Sequence, residues 1–157
     1  MKKVLLFILT GLVSLSLVGC GNSVKNVEGE VSDLMTKLYT EEMNANLPSL
    51  QQTVVDASNK DMVKYLIGTS DYAFDSAVVS EPLIGSVAHS VALIRVSEGT
   101  DIEAFKKAIE ENIDPRKWIC VTAEKVIVDN IGDLIILIMA NEADAKTLHD
   151  NFKGLGK

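Results

Sequence analysis

Few side chains in this sequence could do chemistry, and their spacing assembles little. The nucleophiles and imidazoles of most interest are Cys20, Cys120, His89 and His149. A zinc site needs several ligands at close spacing, such as two histidines one helical turn apart, and neither histidine has such a neighbour. No serine sits in a Gly-x-Ser-x-Gly elbow, and no glycine-rich loop offers amides to a phosphate. His149 stands beside Asp150 on a helical stretch and reads as solvated or packed; His89 opens a strand and reads the same way. Trp118, Tyr72 and Phe74 could edge a cleft, but read as core or rim packing. The reading therefore names no catalytic residue, no metal ligand and no cofactor.

Cys20 is set apart by what precedes it. Met1-Lys2-Lys3 is a short basic start, residues 4–18 are almost wholly apolar, and no acidic residue occurs before Glu28. A basic start, an apolar middle and small residues before a cut are the layout of an export signal. The apolar run is shorter than the roughly 20 residues that span a bilayer as a helix. Its end, Leu17-Val18-Gly19-Cys20, resembles the box of bacterial lipoprotein signals: an aliphatic residue, two small or medium residues, then cysteine. The resemblance implies transfer of a diacylglyceryl unit to the Cys20 sulfur and cleavage after Gly19, with an N-acyl group such as palmitate as a further step. Two chains anchor durably where one holds only marginally, at about 0.8 kcal/mol per buried methylene. Gly21 follows, where an aspartate would resemble an inner-membrane retention signal.

That assignment divides the chain. Residues 1–19 are the signal peptide, 20–30 the lipid anchor and a polar tether, and 31–157 one domain, long enough to bury a core. Without Lys2 and Lys3 the basic side chains number 13 against 22 acidic ones, a net charge of −9. No basic cluster exists, which argues against nucleic acid. Acidic balance also repels anionic headgroups, so the domain is expected to stand off the lipid. With Cys20 acylated, Cys120 has no disulfide partner and is expected as a small buried residue on a strand.

The elements follow from periodicity. Val31, Leu34, Met35 and Leu38 recur at helical spacing, and Met62, Val63, Leu66 and Ile67 make a short helix that Gly68 stops. Met35, Met43 and Met62 read as core filler rather than an adaptable groove. Leu47, Leu50, Val54 and Val55 suggest only a loosely held apolar face. Residues 73–79 and 89–96 are strand-like, with 81–85 as a connection or a bent edge. Thr100-Asp101-Ile102-Glu103 predicts a capping box with Thr100 as the cap, opening a helix over 101–113. Its charged Lys106, Lys107, Glu110 and Glu111 read as a solvated face. Residues 119–128 form a further strand region, and 130–133 a turn. The continuous apolar run 134–140 fits a central strand buried on both faces. Asn141 caps a closing helix. The expected fold is α+β: two layers, an antiparallel four-stranded sheet in the order ββαββα with helices on one face, plus a small N-terminal helical segment.

In that order of parts, from signal box to closing helix at Phe152, the chain resembles an uncharacterised family of small bacterial lipoproteins, a domain of unknown function. Residues 89–99, His-Ser-Val-Ala-Leu-Ile-Arg-Val-Ser-Glu-Gly, and the hairpin from Val126 to Leu137 carry the likeness. The passage 114–118 is shorter than the pattern leads one to expect. The resemblance implies no activity, and of site residues only Cys20. The expected protein is an extracytoplasmic lipoprotein held in the cell membrane by Cys20. It is a non-catalytic binding or assembly module whose partner is an envelope protein or small ligand. The alternative is a cell-envelope hydrolase with an unfamiliar site.

Overall fold

The computed structural model describes residues 26–157. Leu17, Val18, Gly19 and Cys20 lie outside the described residues. The chain folds as α1 (Val31–Leu38), α2 (Glu41–Asn46), β1 (Leu50–Val54), α3 (Lys60–Ile67), β2 (Phe74–Pro82) and β3 (Ser90–Val96). It continues as α4 (Ile102–Asn112), β4 (Lys125–Ile131), β5 (Leu134–Ala140) and α5 (Glu142–Gly154). The α+β class and the antiparallel sheet are as expected, but the sheet has five strands, ordered β1-β2-β3-β5-β4.

The helices also differ from expectation, because they lie on both faces. On one face Val78, Val91, Leu93, Leu134, Ile136 and Ile138 pack with α1, α2 and α5. On the other, Ala77, Val79, Ala92, Ile94, Ile135, Leu137 and Met139 pack with α3 and α4. Alternate residues of one strand point to opposite faces, so a strand covered on both must be apolar throughout. β5 is such a strand: all seven of its residues are buried.

The strand that sequence periodicity missed is β1. Its Leu-Gln-Gln-Thr-Val has no alternation, and four of its five residues are exposed. It forms because β2 offers a partner, in a register running from Leu50 opposite Pro82 to Val54 opposite Val78. That pairing also carries β2 through Glu81 and Pro82, which the sequence suggested as a connection.

β4 begins later than expected, and the hairpin explains why. Gly132 takes a φ of 56° in the two-residue turn, as the primed turns of tight hairpins require. The turn sets Ile131 opposite Leu134, so the seven residues of β5 reach back only as far as Lys125. Residues 119–124 have no strand to pair with. Ile119 is therefore 96% exposed, and Cys120 is an exposed loop residue rather than a buried one on a strand.

The cap of α4 is shifted by one residue. The Asp101 carboxylate, not the Thr100 hydroxyl, accepts from the third helical amide, that of Ala104, at 3.0 Å. Thr100 donates instead to the Ala73 carbonyl at 3.3 Å. Asn141 caps α5 as expected, accepting from the Asp144 amide at 2.8 Å. Gly68 ends α3 with a φ of 95°, its amide on the Lys64 carbonyl at 2.8 Å.

Of residues 26–30, read from sequence as the end of the tether, Val27 is buried and the other four are exposed. Val27 is buried among α1 and α5. The Gly29 carbonyl accepts from Arg95 Nη2 at 3.1 Å.

Candidate functional site

Polar groups buried without solvent are the first place to seek chemistry, because each costs free energy unless paired. Two such clusters sit back to back where β2 ends and β3 begins. The register sets Ser80 opposite Val91, so Ser80 shares the α1/α5 face with Val78 and Val91. Glu81 and Ser90 alternate to the α3/α4 face.

On the α1/α5 face His89 is 1% exposed. Its Nε2 lies 3.0 Å from the Tyr39 hydroxyl, and the two rings are tilted by 45° with centroids 5.8 Å apart. Nδ1 is buried with no partner. Hydrogen-bond accounting favours one tautomer: Nε2–H donates to Tyr39 Oη, and Nδ1 keeps a bare lone pair. The other tautomer would bury an unpaired N–H. Burial raises the Tyr39 pKa far above its usual value; the Ser80 hydroxyl opposes that, while Asp144 and Glu81 reinforce it. Burial also lowers the His89 pKa, against the pull of the same two carboxylates. The imidazole is thus neutral near pH 7, the charge state of a general base. It is nevertheless sealed: a cleft of about 570 Å³ between α2 and the start of α5 is lined by Thr40, Glu41, Met43 and Asp144, and His89 is not part of its lining.

On the opposite face Lys117 enters from the loop after α4, its side chain 3% exposed. Its Nζ is 2.6 Å from Glu81 Oε1 and 3.1 Å from Ser90 Oγ. The Glu81 contact is a close ion pair between a buried ammonium and a carboxylate. The ammonium also lies 5.1 Å from the Tyr65 ring centroid and 5.4 Å from that of Trp118, within cation–π reach. Burial lowers the Lys117 pKa and the Glu81 carboxylate raises it again. Every contact is internal, so the cluster fastens the 113–124 loop to the sheet.

The remaining sequence candidates fall in separate settings. His149 Nε2 pairs with Asp129 Oδ2 at 2.7 Å, joining α5 to β4. Burial pushes the Asp129 carboxyl up, but the bonds from His149 and the Asn130 amide outweigh it and hold its pKa below the usual range. Cys120 lines an open cleft of about 490 Å³ with Asp114, Arg116 and Trp118, and no histidine borders it. Trp118, Tyr72 and Phe74 pack against the α3/α4 core, and Tyr72 stacks on Phe105 with centroids 4.8 Å apart. Among the described residues no group of three or more His, Cys, Asp or Glu could hold a metal ion. Among the described residues no nucleophile, base and orienting group converge.

Sequence reasoning did not single out Tyr39, Ser80, Glu81 or Lys117. Strand alternation could place Ser80 and Glu81 on opposite faces, but no local pattern tells which loop lysine or which helix-end tyrosine comes to meet them. The chain matches no family model, no curated protein and no solved structure.

Proposed function

We infer that this protein is a lipoprotein of the cell membrane, held on its extracytoplasmic face through acyl chains on Cys20. Its folded part serves as a non-catalytic binding or assembly module. The observation that carries the anchor is Leu17-Val18-Gly19-Cys20 closing a basic-then-apolar start. The module reading is supported by the way its buried polar groups are consumed. His89 is shut away behind Tyr39, Lys117 is spent on Glu81 and Ser90, and His149 on Asp129. A group shut inside the protein, or spent on an internal partner, is not free to meet a substrate.

Metabolic labelling with a fatty-acid analogue tests the anchor. The wild type should incorporate label and pellet with membranes, whereas Cys20→Ala should lose the label and shift out of the pellet. Mass spectrometry of the mature N-terminus should find diacylglyceryl-modified Cys20 as its first residue. An unmodified thiol there, or a retained leader, overturns the reading.

A further inference from the structure

The two edges of the sheet are unlike. β4 carries Lys125 and Asp129, and its side chains are engaged: Asp129 by His149, Asn130 by Lys106 at 2.8 Å. β1, at the other edge, carries no charged residue and, among the described residues, pairs on one side only. Natural proteins commonly blunt an edge strand with charge, proline, a bulge or a cover, since a bare edge templates further pairing. Pro48 lies outside β1, and the residues between it and Val55 are all uncharged.

The free hydrogen-bonding groups of β1 can be identified. Ser49 O accepts from Leu83 N at 3.2 Å, and Val55 N donates to Ala77 O at 2.9 Å. In an antiparallel ladder the residues that bond one neighbour alternate with those that face the other. Ser49, Gln51, Thr53 and Val55 therefore bond β2, and the N–H and C=O groups of Leu50, Gln52 and Val54 point outward. The strand is also bordered by apolar surface. Val54 is 74% exposed, Leu83 66% and Ile84 51%, the last two in the loop that bonds to Ser49.

We propose that β1 pairs antiparallel with β1 of a second copy of this chain, about a two-fold axis through Gln52, making one continuous sheet across two protomers. This register alone engages all three outward residues: Gln52 meets Gln52, and each Leu50 meets the partner's Val54, for about six backbone hydrogen bonds. A shift of register toward Pro48 would set a residue without an N–H in the ladder. The Leu50 and Val54 side chains share a face, so the pairing also makes two apolar cross-strand contacts. In a protein with a strong acidic excess, an uncharged seam brings no like charges together. Association closes at two copies, because the contact is isologous and the charged β4 edge offers no equivalent.

The proposal deepens the assembly reading above, and its geometry suits the anchor. A two-fold axis normal to the sheet keeps the α1/α5 faces of both copies on one side. Val27, near the point where each chain enters the fold, is buried in that face. Both copies can thus be tethered to one bilayer.

The test uses the full chain in its own host, with Cys120→Ser to remove the exposed native thiol. Gln52→Cys places two cysteines across the axis. A hydrogen-bonded antiparallel pair has Cα atoms about 5.5 Å apart, within the roughly 4.4–6.8 Å a disulfide accepts. Lys153→Cys, on α5, is the control. Mild oxidation should give a homodimer at position 52 at least about fivefold more abundant than at 153, and adding Val54→Lys should abolish it. The otherwise wild-type protein, extracted in mild detergent, should sediment as a dimer and Val54→Lys as a monomer. Equal cross-linking at both positions, a Gln52→Cys band containing a different protein, or a monomeric wild type each overturns the proposal. Fractionation is scored separately, so loss of the anchor and loss of self-pairing give different results.

Discussion

At the scale of single residues, His89 gives the domain a defined sensitivity to acid. Burial is the largest influence on its imidazole and lowers its pKa below the ordinary 6.5. The folded state then binds fewer protons than the unfolded chain between the two values. Its contribution to stability is whole above pH 6.5 and is lost as the pH falls toward the folded value. Denaturant unfolding at about pH 7.5 and about pH 5 should show wild-type stability dropping across the interval. His89→Gln keeps a donor near Tyr39 but cannot titrate, so it should be less stable at the higher pH and lose less on acidification. An unchanged slope in the variant would remove His89 from the account. The histidine was visible in the sequence as the start of a strand. Its burial against Tyr39 was not, because the two residues lie far apart along the chain.

At the scale of an element, the cap of α4 separates two readings that local sequence allows. Thr100 and Asp101 can each cap a helix, and Glu103 lies at the spacing of a capping box for the first. In the fold, Asp101 accepts from Ala104 while Thr100 bonds the strand-end carbonyl of Ala73. Asp101→Ala should therefore cost about 1 kcal/mol, and Thr100→Ala roughly half that, since an exposed hydroxyl-to-carbonyl bond contributes less. Thermal denaturation of both variants decides the matter; the reverse order would restore the Thr100 cap. β4 teaches the same lesson about boundaries. Residues 119–124 have the apolar and β-branched character of a strand, yet the hairpin register leaves them unpaired.

At the scale of the whole molecule, the placement of helices on both faces has a direct mechanical consequence. Ile136 and Leu137 are neighbours on β5 that point to opposite cores, and each is fully buried. In a sheet with one wet face, truncating one of the two would be nearly free. Here Ile136→Ala and Leu137→Ala should each cost about 2–5 kcal/mol, because each leaves a cavity in a packed layer. Chemical denaturation of the pair measures this, and a value near zero for either would mean that its face is not covered. The five-residue β1 at one edge completes the architecture and leaves outward the backbone groups on which self-pairing would depend.

What the sequence determined by itself was whatever local periodicity and local chemistry could encode. The apolar spacing of α1, α3 and α4, the Asn141 cap, the Gly132-Asp133 hairpin and the doubly buried run of β5 all follow from residues within a few positions of one another. The proposal for Cys20 rests on the same kind of local signal, since flanks, apolar run and box lie together. Tertiary structure alone decided the rest. β1 is a strand only because β2 offers it a partner, and which helices cover which face is set by packing between distant segments. Tyr39 with His89, and Lys117 with Glu81, meet through contacts between distant segments. Such contacts leave no periodic trace in the chain, because their free energy arises when a polar group loses water to a particular neighbour, and that neighbour is set by the fold.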